Sequence, residues 1–130
     1  MSIRLLQPFL PNRKNAAHPR LLECLLDLTN RPHCLNTLIL MLQNLHESGQ
    51  ESRFVVALTG IPVFELKSMA RGGEAGGARV YFFWTNNHEA ILVNAECKRG
   101  KQSNPQLIVE VLQCIQAYRK GLLRFYEGSR

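Results

Sequence analysis

The sequence lacks the features of several classes of protein. No apolar run approaches the ~20 residues that a membrane-spanning helix needs, and the first ten residues, interrupted by Pro8 and followed by Pro11, do not resemble an export signal. The four cysteines and four histidines contain no Cys-x-x-Cys and no His-x-x-x-His spacing, and no pairing that suggests a zinc site. We therefore expect a cytoplasmic protein without metal or cofactor.

Cysteine is also sparse and scattered. Cys24, Cys97 and Cys114 fall at or beside apolar positions, where a free thiol packs as a small hydrophobic side chain. Disulfides are rare in reducing compartments, so this placement suits the cytosol. The expectation is that these thiols are free.

Acidic residues are few relative to basic ones. Sixteen Lys and Arg against ten Asp and Glu give a net charge of +6, and residues 53–130 hold eleven of the cations and six of the anions. A basic surface of this kind favours a polyanionic partner such as RNA, DNA or an acidic protein. A membrane surface is disfavoured, because the densest basic run lies outside any predicted helix.

Hydrophobic periodicity divides the 130-residue chain, which has the length of about one domain. Residues 1–18 are interrupted by prolines and predict an extended arm, whereas the tail 121–130 stays unassigned. Apolar residues at helical spacing predict one helix over 19–28 and a second from Leu35 until Gly49, packed as a hairpin.

The later part of the chain alternates with period two. Four segments read as strands of an antiparallel meander: 54–58, 62–69, 78–85 and 90–97. Asn104 as N-cap and Pro105 at the first position then predict a last helix that stops near Gly121. Residues 1–130 are thus predicted to be one α+β domain. Its N-terminal helical hairpin would pack on a three- to four-stranded, mainly antiparallel sheet, followed by a C-terminal helix.

Successive strand side chains point to opposite faces, so each strand splits into two sets. One set is apolar and suits a face covered by helices: Phe64, Leu66, Val80, Phe82, Trp84, Ile91, Val93 and Ala95. The other set is expected on an exposed face: Glu65, Lys67, Arg79, Tyr81, Phe83, Asn94, Glu96 and Lys98. Cations interleaved with exposed rings suit a single nucleic-acid strand. A solvated face with salt bridges such as Glu65 with Arg79 fits equally well.

The run ECKRGKQSNP, residues 96–105, places Lys98, Arg99 and Lys101 within four positions between a strand and a helix start. Cations held this close on a short connection suit a phosphate backbone better than a single carboxylate. A solvated basic loop without function is the competing interpretation.

The order of these segments resembles the HigB-like branch of the RelE/ParE superfamily of bacterial toxins. The resemblance covers roughly residues 19–120 and is carried by FELK, a Gly-rich link, ARVYFFW, a polar hairpin, AILVNAECKRGKQSNP and a closing helix. That branch typically shows a Glu-Leu-Arg-like strand, a Tyr-Arg-Val-x-Tyr-like strand and a Lys-Lys-Thr-x-Lys-Thr-Pro-like loop. Here Lys67 stands where arginine is frequent, Gly100 and Ser103-Asn104 replace threonines, and the arm before His18 is longer.

The resemblance implies the toxin of a type II toxin-antitoxin system, bound in cells by a cognate antitoxin as a hetero-oligomer. Its implied activity is ribosome-dependent, metal-independent endoribonuclease cleavage of mRNA, although other branches poison gyrase. A binding module without catalysis is the alternative. Attack of a ribose 2′-OH on the adjacent phosphate needs a proton acceptor, cations on the phosphate and a proton donor to the leaving oxygen.

The resemblance also implies roles for individual residues. Arg79 and Lys98 would stabilise the phosphate, with Lys67 and Lys101 orienting it or transferring protons. Tyr81 or Phe83 would stack a base, with Arg99 and Asn94 completing the RNA contacts. Candidates for the acid and the base are Glu65, Glu96, His88 and Tyr118.

Overall fold

A computed structural model describes residues 2–13, 15–69, 76–98, 100 and 102–127. The predicted Arg99 and Lys101 contacts lie outside these described residues. The elements in chain order are β1 (Leu5–Leu6), α1 (Arg20–Asp27), α2 (Pro32–Ser48), a 3-10 turn (Gly49–Glu51), β2 (Val55–Ala57), β3 (Phe64–Lys67), β4 (Ala78–Trp84), β5 (Ala90–Cys97) and α3 (Pro105–Arg119). The predicted α+β class is confirmed.

Local signals account for the helix ends. Pro32 occupies the first turn of α2, where its missing N–H leaves no intrahelical bond unmade. Gly49 ends α2 at a φ of 59°, and a Cβ there would lie 2.9 Å from Cγ2 of Ile3, so glycine is required. Asn104 caps α3, because its side chain accepts a hydrogen bond from the N–H of Gln106 at 3.0 Å.

The sheet is larger than predicted and mixed. Its strand order is β1-β5-β4-β3-β2, with β1 parallel to β5 and the other pairs antiparallel. The prediction of three or four strands missed β1, whose two residues, Leu5 and Leu6, are too few for a periodic signal. The arm also pairs with the tail, since the N–H of Phe9 donates to the Arg124 carbonyl at 2.9 Å.

Helices cover both faces of the sheet. On one face, α1 packs chiefly on β5 and α2 on β4, so each helix contacts the sheet more than the other helix. The predicted helical hairpin is therefore wrong as a description of their packing. On the other face, α3 packs against β4 and β5 and forms a second core.

A bulge in β5 places some of its side chains on the sheet face opposite to the one predicted. Tyr81 pairs with Asn94 but Phe82 pairs with Leu92, so Val93 is an extra residue in the ladder. Ile91 and Val93 consequently pack in the α3 core, although the alternation had placed them with Ala95 on the opposite face. A single inserted residue reverses the faces of every residue on one side of it.

The face predicted to be exposed is covered. Tyr81, Phe83 and Asn94 are all buried, because α3 lays its apolar side on them. Asn94 also fixes the helix, since its Nδ2 donates to the Leu107 carbonyl at 3.0 Å and to Glu110 Oε1 at 2.9 Å. The expectation that Tyr81 or Phe83 stacks an RNA base, with Asn94 beside it, is therefore wrong for this arrangement of the chain.

Candidate functional site

Strand register brings the predicted catalytic residues together at one end of the sheet. Lys67 of β3 is opposite Arg79 of β4, and Arg79 is opposite Glu96 of β5. Lys98 follows β5 directly, where its backbone N–H donates to the Gly77 carbonyl at 2.9 Å. The meander thus gathers cations that lie far apart in the sequence.

Arg79 is the most buried of these groups. Its side chain is 1% exposed, and Nη1 donates to Glu65 Oε2 at 3.0 Å. Nη2 donates to the carbonyl oxygen of Gly100 at 2.9 Å. Because a buried charge needs both a counterion and hydrogen-bond partners, Arg79 holds the backbone after β5 against the sheet instead of facing solvent.

Two carboxylates tie the start of α3 to the same end of the sheet. The second oxygen of Glu65, Oε1, accepts from the Ser103 hydroxyl at 3.0 Å. Glu96 accepts from the Tyr81 hydroxyl at 2.7 Å and from Asn104 Nδ2 at 3.3 Å. The Tyr81 oxygen in turn accepts from the backbone N–H of Asn104 at 3.0 Å. These contacts position the segment in which Lys98 and Ser103 lie.

Burial, and secondly its hydrogen bond to Glu96, raises the pKa of Tyr81 well above the ordinary tyrosine value. The phenol therefore stays protonated at neutral pH, and its proton is already donated to Glu96. Tyr81 is thus a structural hydrogen-bonding group at this site.

The surroundings of Lys98 disfavour its charged form. Burial lowers its pKa, and the positive charges of Arg79 and Lys67 lower it further, whereas Glu65 opposes the shift. Its Nζ donates to the Ser68 carbonyl at 2.8 Å. Lys67 and Lys98 are both half-buried, so they are the described cations of this site that an incoming anion can reach.

The predicted catalytic residues lie close together, but some of them are less exposed than the sequence predicted. Lys67, Arg79, Lys98, Glu65 and Glu96 lie at the same end of the sheet. Only Lys67, Lys98 and Glu96 are partly open to solvent, because Arg79 and Glu65 are buried in their ion pair. An exposed Arg79 was expected, but its guanidinium is enclosed by its counterion Glu65 on β3 and by the backbone carbonyl of Gly100.

His88 and Tyr118 lie at the other end of the sheet. His88 takes the hairpin's positive φ of 60°, and its Nδ1 lies 2.9 Å from Gln50 Nε2. The Tyr118 ring meets that of Phe83 edge to face, with centroids 5.7 Å apart. Neither side chain is placed to serve as acid or base for Lys98 and Lys67.

Sequence reasoning missed a covalent link beside the site. Cys34, in the first turn of α2, forms a disulfide with Cys97, the last residue of β5, with a Cα–Cα distance of 6.0 Å. The expectation of a free Cys97 is therefore wrong. Cys24 and Cys114 are free and buried, and burial raises the pKa of Cys114 to about 12. A separation of 63 residues leaves no sequence signal for the pairing.

Two roles at the site also escaped prediction. Ser103 ties the start of α3 to Glu65, and Asn104 contacts both Glu96 and Tyr81 besides capping the helix. The N-cap pattern signalled Asn104, but its contacts across the sheet depend on the tertiary fold. In the part of the chain that the structure describes, no group of three or more His, Cys, Asp or Glu side chains is arranged to hold a metal ion.

Comparison with known proteins gives no family assignment. No protein-family model matches the chain, and no curated protein matches it. Among the helices described, none combines the length and the apolar character needed to cross a bilayer. Function is therefore argued from the site itself.

Proposed function

We propose that this protein is the toxin of a type II toxin-antitoxin system, with a RelE-like arrangement of two helices, an antiparallel meander and a closing helix. Its activity would be metal-independent, ribosome-dependent endoribonuclease cleavage of mRNA. The observation that carries the proposal is the convergence of Lys67, Arg79 and Lys98 at one sheet end, where Lys98 has a lowered pKa. The field of these clustered cations supports the proposal, because grouped positive charge attracts a polyanion.

Lys98 is the proton acceptor in this proposal. A lowered pKa gives the amine a larger neutral fraction near pH 7, and a neutral amine can remove a proton from a ribose 2′-OH. The 2′-oxygen then forms a bond to the adjacent phosphorus, and the bond from phosphorus to the 5′-oxygen breaks. The products are a 2′,3′-cyclic phosphate and a 5′-hydroxyl, whose proton comes from solvent.

Lys67 supplies charge to the phosphate, and Arg79 acts as a positioning residue. The Lys67 side chain is half-buried, so its ammonium can stabilise negative charge that develops on the phosphate oxygens. Arg79 holds Gly100 and Glu65 and so orders the segment that carries Lys98. Glu65 and Glu96 complete that support through Ser103 and Asn104.

The cognate antitoxin would contact the same cations. With a net charge of +6, the chain suits an acidic segment that covers Lys67 and Lys98 and blocks access of mRNA. The expected complex is a hetero-oligomer, and co-expression with an acidic protein encoded beside this chain should relieve toxicity. A monomer that is harmless when expressed alone would contradict this part of the proposal.

A second candidate is a binding module without catalysis, including a toxin directed at gyrase. It is favoured by the burial of Arg79, Glu65 and Tyr81, whose polar atoms are engaged inside the protein. Such a protein would use Lys67 and Lys98 for binding only.

Induction of the chain in bacteria separates the two. Growth arrest with cleaved transcripts, lost in the Lys98→Gln variant and kept in the Lys120→Gln variant, supports the nuclease. Inhibited supercoiling by gyrase with intact transcripts supports the second candidate and rejects the first.

A further inference from the structure

A cavity of about 620 Å³ opens at the other end of β4 from Arg79. Arg79 is the second residue of β4 and Trp84 the last, so at ~3.3 Å per residue the cavity lies about 17 Å from the proposed catalytic end. The lining side chains that matter here are Phe64, Phe83, Trp84, Asn86, Tyr118 and Arg119. The volume falls within the range usual for small-molecule sites.

The aromatic wall of this cavity suits a planar ligand. Trp84 is half-buried, and its neighbours Phe64 and Phe82 meet it edge to face, with centroids 6.3 and 5.2 Å away. Neither ring is stacked parallel on the indole. Tyr118 likewise meets Phe83 at 65° and not face to face. Because Trp84 lines the cavity and is only half-buried, a flat ring that enters the cavity can contact the indole.

The polar side chains of the cavity are not engaged by other groups among the described residues. Among the described residues, Arg119 makes no ion pair, and the Tyr118 hydroxyl makes no hydrogen bond. Asn86 is exposed and offers an amide donor and acceptor at the rim. No acidic side chain of the described residues lines the cavity, so its charge favours an anion.

We propose that this cavity binds one nucleotide, with its base stacked on Trp84 and its phosphate on the Arg119 guanidinium. A guanidinium matches phosphate geometry through two parallel hydrogen bonds, and the Asn86 amide can hydrogen-bond the edge of the base. The choice of a nucleotide rests on the proposed RNA activity. The occupant would be a nucleotide of the substrate strand, remote from the cleaved phosphate.

Trp84 is the only tryptophan of the chain, so its fluorescence reports directly on this cavity. The probes are a 5′-nucleoside monophosphate, the nucleoside without phosphate, and inorganic phosphate. The nucleotide should quench the indole saturably, the nucleoside should need about tenfold more, and phosphate alone should leave the emission unchanged. Arg119→Gln should weaken nucleotide binding about tenfold, whereas Arg31→Gln, which removes the same charge at the start of α2, should not.

Saturable quenching that is equal in the Arg119→Gln and Arg31→Gln variants would overturn the proposal, as would the absence of quenching by the nucleotide. Equal melting midpoints for the two variants check that neither change unfolds the protein. Tyr118→Leu removes a ring from the cavity and provides a second test of nucleotide binding. The assay needs no cleavage. If the protein cleaves RNA but does not bind the nucleotide, only the proposal for the cavity is rejected. If it binds the nucleotide but does not cleave RNA, only the proposed nuclease activity is rejected.

Discussion

Arg79 and Glu65 form an ion pair of 3.0 Å between Nη1 and Oε2, in which the side chains are 1% and 4% exposed. Removing one partner leaves a buried charge alone, which typically costs about 3 to 5 kcal/mol of stability. Arg79→Met should therefore lower the free energy of unfolding, measured with urea, by about that amount. Arg79→Met with Glu65→Leu should recover much of the loss.

The matched control is Arg4→Met, which breaks a more exposed pair with Glu89 at 3.5 Å. Exposed pairs contribute about 0 to 1 kcal/mol. Equal losses for Arg79→Met and Arg4→Met would contradict the burial that makes Arg79 a positioning residue.

The titration of Lys98 reports on the cluster of cations. Its pKa should lie below 10.5, because burial and then Arg79 and Lys67 disfavour the charged amine. Lys67→Gln should raise that pKa, while the remote Lys120→Gln should leave it unchanged. The ε-carbon resonances of 13C-labelled lysines, followed against pH, measure it. A Lys98 resonance unaffected by Lys67→Gln would refute the predicted convergence.

The same shift makes stability depend on pH. Between the lowered folded pKa of Lys98 and its unfolded value, the unfolded state binds more protons. Lys98 therefore favours unfolding most below the folded pKa, and its contribution to stability rises with pH through that interval. Comparison of the wild-type and Lys98→Met stability curves over alkaline pH isolates this slope, which should be absent in the variant.

The Cys34–Cys97 disulfide should stabilise the fold and anchor the strand that leads into Lys98. Closing a loop across 63 residues typically stabilises a protein by about 2 to 4 kcal/mol. A reducing agent should lower the melting midpoint of the wild type but not of a Cys34→Ser, Cys97→Ser double variant. Thiol titration of the unfolded chain should find two reactive thiols before reduction and four after it; four before reduction would contradict the link.

Asn104 joins the N-terminus of α3 to the site. Asn104→Ala removes the acceptor for Gln106 N–H and the donor to Glu96, and loss of an N-cap typically costs about 1 kcal/mol. Asn104→Ser keeps a capping oxygen and should recover part of that loss. Denaturation midpoints for the two variants test this order, and a more stable alanine variant would be inconsistent with the capping geometry.

The predictable parts of this fold are those set by neighbours in sequence. Alternation located β4 and β5, and Asn104-Pro105 fixed the start of α3, because periodicity and caps depend on a few adjacent residues. The convergence of Lys67, Arg79 and Lys98 followed from the antiparallel connections.

Features that depend on tertiary packing could not be predicted from the sequence. The apolar side of α3 was recognisable, but which sheet face it covers is decided by packing, and that choice buried Tyr81 and Asn94. The extra residue Val93 has no local sequence signal. Simple alternation therefore placed Ile91 on the wrong face of the sheet. The two residues of β1 form a strand through their parallel pairing with β5, which lies far away in the sequence.

The central claim is that Lys98 acts as a base on RNA. The most direct test is cleavage of mRNA on purified ribosomes by the wild type, Lys98→Arg and Lys98→Gln, with Lys120→Gln as control. The account predicts a 2′,3′-cyclic phosphate end with the wild type and Lys120→Gln, and strong loss with both Lys98 variants, because arginine keeps the charge but stays protonated. Full cleavage by Lys98→Gln, or an intact message with the wild type, would contradict it.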